Sequence, residues 1–192
     1  MLTKFTLAFF LLIISFNTFA TNPQIKIITN QGNIELELYS DKAPKTVKNF
    51  LNYINSGHYS NTVFHRVIKG FMIQGGGFDT RLQKKPTEQP ITNEADNGLK
   101  NERGSIAMAR TNIPHSATAQ FFINTANNKS LNHRGKNIDD WGYAVFGKVT
   151  EGMNVVDRIE NSRTGAKAPF RRDVPVENIV IQKIEIISEQ AQ

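Results

Sequence analysis

Short apolar runs typical of β-strands follow one another along this chain, and only two stretches have the periodicity of a helix. The runs at 25–29 and 33–39 flank a turn at 30–32 that ends in glycine, and together they predict a β-hairpin. Within 33–39, isoleucine and leucine alternate with polar residues, so one face of that strand is expected to be buried. Further strands are predicted at 62–68, 70–74, 104–110, 120–126, 141–149 and 178–187.

The two helical stretches are far apart in the sequence, which limits the fold. One begins near Pro44, repeats apolar residues at i, i+3, i+4 and i+7, and is expected to end at Gly57. The other covers 151–161. A chain of alternating strands and helices would need more helices, whereas many strands joined by glycine-rich turns favour a closed barrel without exposed edges. We therefore expect a mainly β barrel whose open ends are covered by the two helices.

The first twenty residues have the pattern of a secretory signal peptide. Lys4 gives a positive start, an apolar run follows, and small residues precede a cleavage position after Ala20. The run is about a dozen residues long, and a membrane span needs roughly twenty, so a retained anchor is the weaker alternative. We divide the chain into a signal peptide at 1–20 and one domain at 21–192, with its core at about 25–187. After cleavage, no stable membrane insertion is expected.

The chain has no cysteine, which excludes disulfides, thiol catalysis and thiolate metal sites. Together with the bacterial type of signal, this favours the periplasm as the compartment, with secretion as the alternative. The formal charge is +6, but the basic residues are scattered, so we expect no nucleic-acid binding. Attraction to acidic proteins or anionic lipids is a weaker alternative.

The usual catalytic patterns are missing from the sequence. The four histidines have no zinc-binding spacing, no GxSxG nucleophile motif occurs, and the glycines at 75–77 are not followed by a phosphate-binding Lys. His65 and Arg66 are neighbours in a predicted strand and are expected on opposite faces, so His65 is not expected to join a site with Arg66. We expect neither a metal nor another cofactor.

The segment FHRVIKGFMIQGGGF at 64–78 instead combines one arginine with bulky apolar residues. Rotation about an Xaa-Pro bond is a reaction that needs only these groups, because no proton is removed and no covalent bond is broken. An apolar pocket can bind the proline ring, and a guanidinium can donate to the prolyl nitrogen when amide resonance is lost. Arginine suits this task because it keeps its charge in a water-poor site and holds its donors in one plane.

Four segments, in this order and at these spacings, resemble a cyclophilin-type peptidyl-prolyl cis–trans isomerase, and most closely the periplasmic bacterial members. They are FHRVIKGFMIQGG at 64–76, GSIAMAR at 104–110, SATAQFFI at 116–123 and GYAVFGKVTEGMNVVD at 142–157. The resemblance implies an eight-stranded closed antiparallel β-barrel capped by two α-helices. It also implies isomerase activity that assists the folding of exported proteins, with unfolded proline-containing polypeptides as partners.

The resemblance further implies a role for each matching residue. Arg66 corresponds to the catalytic arginine, Gln74 is expected to orient it, and Gln120 lies beside the site. Tyr143 stands where many members have histidine, and its phenol can still line the pocket and donate a hydrogen bond. The walls of the proline pocket correspond to Phe71, Met72, Phe122 and Leu131, and the segment that pairs with the substrate backbone corresponds to Ala109, Arg110 and Thr111. Asparagine is common in the middle of that segment, where backbone groups make the contacts, so an arginine there is tolerable.

Alternatives stay open at this point. The apolar pocket residues could belong to the core, Arg66 could pair with a surface carboxylate, and the three glycines could form a bulge that closes the barrel. A cyclophilin-like module that binds proline-containing segments without catalysis is the alternative function. Ser130 stands where many members carry the tryptophan associated with cyclosporin, so weak cyclosporin binding is expected. We also expect a monomer.

Overall fold

The predicted N-terminal hairpin is present and begins the barrel. Strand β1 (Gln24–Thr29) pairs antiparallel with β2 (Gly32–Leu38), and Thr29 lies opposite Gly32. The computed structural model describes residues 22–188, so the predicted signal peptide lies outside the described residues. Along β2 the burial alternates as predicted, because Ile34, Leu36 and Leu38 are fully buried.

Eight strands close into one antiparallel barrel, which confirms the expected fold class. Besides β1 and β2, the barrel strands are β3 (Thr62–Ile68), β4 (Met72–Asp79), β5 (Ser105–Met108), β6 (Phe121–Asn124), β7 (Val145–Glu151) and β10 (Val180–Ser188). Around the barrel the order is β1-β10-β3-β4-β6-β5-β7-β2, so every barrel strand has a neighbour on both sides.

Two helices accompany the barrel, as predicted. Helix α1 (Pro44–Asn55) has proline in its first turn, and its free N–H groups at Lys45 and Thr46 donate to the Glu94 carboxylate at 3.1 and 2.8 Å. Helix α2 (Met153–Glu160) buries Val155, Val156 and Ile159 in the core. Within 22–188, no helix combines the length and apolar character of a membrane span.

Aromatic rings fill the barrel interior and attach α1 to it. Phe50 of α1 packs edge-to-face against Phe121 of β6, with ring centroids 5.5 Å apart, and Tyr59 contacts both rings. The Tyr59 hydroxyl donates to the Ala119 carbonyl at 2.8 Å, which satisfies its buried polar atom. This interior supplies the rigid base for the strands that carry the site.

A second, two-stranded sheet was not predicted. It consists of β8 (Thr164–Lys167) and β9 (Phe170–Pro175), and it covers part of the outer barrel surface next to β3. Phe170 and Phe78 form a small apolar cluster there around Val63. The sequence of β9 is FRRDVP, which lacks the apolar alternation of a half-buried strand, so periodicity could not identify it.

A bulge in β3 overturns the expectation that His65 and Arg66 lie on opposite faces. Phe64 and Val67 both point into the barrel core. In a regular strand, residues three positions apart point to opposite faces, so this arrangement requires a bulge between them. The pairing of β3 with β4 shifts register between Phe64 and Arg66. His65 and Arg66 therefore both lie on the outside of the barrel. Their surroundings still differ, because His65 packs between Phe78 and Phe170.

Candidate active site

A pocket on the outer surface of the barrel brings together almost all of the predicted site residues. It encloses about 100 Å³ and lies over β3, β4 and β6, with one wall formed by the segment 129–143. Thr111 and Gln120 are the two predicted residues that do not line it. The lining consists of Arg66, Phe71, Met72, Gln74, Ala109, Arg110, Phe122, Leu131 and Tyr143. This set is called the proline pocket below.

The apolar part of the proline pocket is fixed by strand pairing. Gln74 of β4 lies opposite Phe122 of β6, and Met72 lies two residues away on the same outer face. Ile73, between them, points into the core, as alternation requires. Met72 and Phe122 are only 2 and 4% exposed, and the Tyr143 ring packs edge-to-face on Phe122 at 5.7 Å. The floor of the pocket is therefore apolar and closely packed.

Arg66 is oriented by a chain of two glutamines. Its Nη1 atom donates to Gln74 Oε1 over a long 3.4 Å, and Gln74 Nε2 donates to Gln120 Oε1 at 3.0 Å. Among residues 22–188, no carboxylate forms an ion pair with Arg66. Arg66 is therefore held by a glutamine rather than by a counter-ion while it lines the pocket.

The glycine run explains how the glutamine chain fits. Gly76 has φ +83°, and a Cβ there would come within 2.9 Å of the Tyr59 and Phe121 rings. At Gly77 a Cβ would overlap the Gln120 side chain. The β3–β4 pairing also shifts register here, so the glycines form the bulge that was one of the interpretations of the sequence. The absence of a side chain at Gly77 leaves the space that Gln120 occupies.

In the segment 109–111, the backbone of the middle residue is free to form hydrogen bonds with a bound peptide. Ala109 donates its N–H to the Gln120 carbonyl at 2.9 Å, and Thr111 donates its N–H to Ser116 Oγ at 3.0 Å. The backbone N–H and C=O of Arg110 have no hydrogen-bond partner within the described range 22–188. An extended peptide lying across the proline pocket can use these two groups. Thr111 is exposed and lies outside the pocket.

A buried group of asparagines behind the pocket was not recognised from the sequence. Asn124 is completely buried, and its Nδ2 donates to Asn101 Oδ1 at 3.2 Å and to Ser105 Oγ at 2.8 Å. Asn128 Nδ2 donates in turn to Asn124 Oδ1 at 2.6 Å. Asn101, Asn124 and Asn128 are called the asparagine network below. An asparagine in the apolar run FFIN was the signal that could have revealed it, because a buried amide needs partners.

The asparagine network holds three pocket walls by their backbone carbonyls. Asn128 Nδ2 donates to the Phe71 carbonyl at 2.7 Å. Asn101 Nδ2 donates to the carbonyls of Leu131 and Tyr143 at 3.1 and 3.4 Å. Phe71 lies in the β3–β4 turn, whereas Leu131 and Tyr143 belong to the segment 129–143, so this network links the two parts of the pocket wall.

Histidine 65 lies close to Arg66 in sequence but does not take part in the pocket. It is 3% exposed, and its ring centroid lies 4.6 Å from that of Phe78. Burial is the main cause that lowers the pKa of His65 to about 4, and the nearby charge of Arg66 acts in the same direction. The imidazole is thus neutral at ordinary pH. Across 22–188, no three acidic or histidine side chains form a group that could hold a metal ion.

Comparison with known proteins places this geometry in a family. Residues 24–186 match the sequence model described as "Cyclophilin type peptidyl-prolyl cis-trans isomerase/CLD". The chain belongs to the cyclophilin family. Consistent with this, this cyclophilin is 54% identical over 158 residues to peptidyl-prolyl cis-trans isomerase B of Escherichia coli strain K12, a match that covers 82% of this chain and 96% of the other. It is 56% identical over 163 residues to cyp18 of Streptomyces antibioticus, covering 85 and 98%.

A solved structure agrees with the family assignment. The cyclophilin-type isomerase of Cryptosporidium parvum, crystallised in the presence of the dipeptide Ala-Pro, is 34% identical and superposes with a TM-score of 0.72 over 86% of this chain and 99% of that one. As a cyclophilin, the present chain is a peptidyl-prolyl cis–trans isomerase, and the isomerase prediction is confirmed over the alternative of a purely binding module.

One departure from the family pattern, Ser130 in place of a tryptophan, has a structural consequence in this cyclophilin. Ser130 is exposed and belongs to the short 3-10 helix Lys129–Leu131 that precedes the pocket wall. Trp141 does not supply the missing indole, because it does not line the proline pocket. Its ring packs against His115 at 4.6 Å, and its Nε1 donates to the Asn93 carbonyl at 3.3 Å. The rim next to Leu131 therefore lacks an aromatic side chain at position 130.

Proposed function

We propose that this cyclophilin accelerates Xaa-Pro rotation through Arg66 and acts on incompletely folded exported proteins in the periplasm. The observation that carries the mechanism is the position of the Arg66 guanidinium, which shares one pocket with Phe122 and Met72. The lining residues include two cations, Arg66 and Arg110. Only Arg66 belongs to a strand under the pocket, because Arg110 lies after the end of β5.

The reaction needs little from the protein. The rotational barrier of a peptide bond is about 18–20 kcal/mol, and uncatalysed Xaa-Pro exchange takes tens to hundreds of seconds. In the twisted transition state the prolyl nitrogen regains its lone pair and becomes a hydrogen-bond acceptor. With the proline ring against Phe122 and Met72, Arg66 donates to that nitrogen, and this interaction is absent from the planar ground states. Gln74 limits the orientations of the guanidinium, so less ordering is required at the transition state.

The backbone of the substrate has a partner as well. The free N–H and C=O of Arg110 can pair with an extended chain on either side of the proline, which would hold one side of the rotating bond still. The proline ring held on the floor of the pocket fixes the other side. Rotation then occurs between two anchored parts, and since neither anchor reads a particular side chain, these two contacts by themselves should tolerate many sequences.

Arg66→Ala is the direct test of this mechanism. We expect kcat/KM for a blocked Ala-Pro peptide, measured by NMR exchange, to fall about 100- to 1,000-fold, because a preorganised donor to the transition state is lost. The melting temperature should stay unchanged, since Arg66 is partly exposed and forms no ion pair among residues 22–188.

A matched control separates the charge of Arg66 from its position. Arg171→Ala removes the same charge from the exposed β9 strand and should leave kcat/KM unchanged. Arg66→Lys keeps a charge but not the planar donor set, and it should recover only part of the activity. Wild-type kcat/KM in Arg66→Ala would show that another group supplies the catalysis.

The cellular part of the proposal rests on the N-terminal sequence. Export with cleavage after Ala20 predicts that the mature protein begins at Thr21, which N-terminal sequencing of the periplasmic fraction can measure. Recovery of an uncleaved chain in the membrane fraction would favour the retained anchor. We also propose that the mature protein is a monomer, to be checked by light scattering, and that its partners are unfolded polypeptides in transit.

A further inference from the structure

Two arginines line the proline pocket, and among residues 22–188 no carboxylate lines it. Arg66 is one of them, and Arg110 is the other, on the opposite rim. Arg110 stands where asparagine is common in the family, and the mechanism above uses only its backbone. Its side chain therefore has no assigned role, although it lies beside the place where the substrate must bind.

The Arg110 side chain is held in place rather than free. Its Cζ lies 4.6 Å from the centre of the Tyr143 ring, a cation–π arrangement. Its Nε donates to the Gly142 carbonyl at 2.9 Å, and its Nη1 donates to the Thr111 carbonyl at 2.9 Å. A contact of 3.4 Å to the Asn112 carbonyl adds to this. Four interactions thus fix the plane of the guanidinium against the pocket wall.

One edge of that guanidinium stays open. Within residues 22–188, Nη2 of Arg110 has no hydrogen-bond partner, and no carboxylate forms an ion pair with the side chain. A guanidinium that is held in one orientation, has a free N–H donor and has no counter-ion is well suited to bind a carboxylate. Because the Arg110 backbone is free to pair with the substrate, a substrate side chain one residue from the proline lies within reach of it.

We infer that Arg110 makes this pocket select Xaa-Pro segments that carry an acidic side chain, Asp or Glu, next to the proline. The inference rests on the proposed mode of substrate binding and adds a substrate preference to it. The ligand group is a side-chain carboxylate, which the Arg110 Nη2 binds while Arg66 serves the prolyl nitrogen. Arg66 adds to the positive potential of the pocket, so the contribution of Arg110 has to be measured as a difference between variants.

Blocked peptides test the preference without terminal charges. Two series, acetyl-Ala-Xaa-Pro-Ala-amide and acetyl-Ala-Ala-Pro-Xaa-amide, with Xaa as Glu, Gln or Lys, report on the residues before and after the proline. We expect kcat/KM by NMR exchange to be about threefold to fivefold higher for Glu than for Gln in one series at low salt. The ratio should approach one in 0.5 M NaCl, because salt screens a partly exposed ion pair.

Variants assign the preference to one side chain. In Arg110→Asn the Glu-to-Gln ratio should fall to the level that Arg66 alone produces, close to one, and Arg110→Lys should retain part of it. Arg171→Asn removes the same net charge from the distant β9 strand and should keep the full ratio. Ratios are compared within each variant, so a general loss of activity in Arg110→Asn does not affect the conclusion.

Each outcome is decisive. Equal kcat/KM for Glu and Gln in both series, or an unchanged ratio in Arg110→Asn, overturns the inference and leaves the isomerase mechanism intact. Failure of the wild-type protein to accelerate exchange in the neutral Gln peptides would instead refute the proposed mode of action. A ratio that Arg171→Asn also abolishes would assign the preference to net charge rather than to the pocket.

Discussion

The Gln120 side chain lies directly against Gly77, where a Cβ atom would overlap it. Gln120 in turn holds Gln74, which orients Arg66. The glycine run of β4 and the arginine of β3 are therefore coupled through two amide side chains, although Gly77 lies eleven positions after Arg66 in the sequence.

Gly77→Ala should lower activity by displacing Gln120. The methyl group forces the glutamine away from Gln74, and the guanidinium loses its preferred orientation. We expect kcat/KM for a neutral Xaa-Pro peptide to fall about tenfold or more, since small misplacements of catalytic groups have large effects. Gly165→Ala is the matched control, because a Cβ there meets nothing within 4 Å, and it should keep wild-type kcat/KM. Full activity in Gly77→Ala would refute the coupling.

Asn124→Ala should disrupt the asparagine network. It removes the donor to Asn101 Oδ1 and the acceptor of one Asn128 hydrogen bond, and this should reduce the free energy of unfolding by about 1–3 kcal/mol. The walls that these amides hold should loosen, so we expect KM to rise more than kcat falls. Both quantities can be measured by denaturant titration and NMR exchange.

The split between KM and kcat distinguishes positioning from simple destabilisation. Asn55→Ala, on the exposed end of α1, is the control and should change neither KM nor the free energy of unfolding. Asn124→Ser keeps a polar group and should recover part of the stability and of the substrate affinity. A variant that is less stable but has unchanged KM at a temperature where it is fully folded would contradict a link between the network and the pocket.

His65 should make stability depend on pH in the acid range. Its pKa falls from an ordinary value of 6.5 to about 4 on folding, so between these values the unfolded chain binds more protons than the folded one. The free energy of unfolding should therefore decrease as the pH falls from about 6.5 to about 4, by about 3 kcal/mol from this residue. Above pH 6.5 His65 is neutral in both states and costs no stability. Below pH 4 it is protonated in both states, so the free energy of unfolding falls no further through this residue.

His65→Phe isolates that contribution. Phenylalanine keeps an aromatic ring between Phe78 and Phe170 but cannot be protonated. Urea unfolding at pH 7 and pH 4.5 should show a smaller pH dependence in this variant than in the wild type. An identical dependence in both proteins would mean that His65 is not the responsible group.

Cyclosporin should bind weakly, because Ser130 leaves the rim beside Leu131 without an aromatic side chain. Ser130→Trp should raise the affinity by about tenfold or more, since a tryptophan in a partly buried contact contributes strongly to binding. Titration calorimetry on both proteins measures the change. Ser130→Ala should behave as the wild type, and tight binding by the wild type would contradict the prediction.

Much of the barrel could be predicted because its signals are local. The alternation of apolar residues in β2 and their helical spacing around Phe50 can be read directly from the sequence, because one side of each element faces the core. The family resemblance named the pocket residues, and the structure brings all but Thr111 and Gln120 to its lining. By contrast, the β8–β9 sheet has no apolar alternation, since a small cluster on the barrel surface stabilises it.

Local sequence determined where strands and helices form and which arginine lies among apolar residues, because side-chain periodicity depends only on near neighbours in the chain. Only the tertiary structure decided that a bulge puts both His65 and Arg66 on the outer surface, and that burial then leaves one neutral and the other directed at the pocket. The same holds for the fit of Gln120 against Gly77. Such relationships depend on register between strands that are distant in sequence, and register is set by packing across the whole barrel.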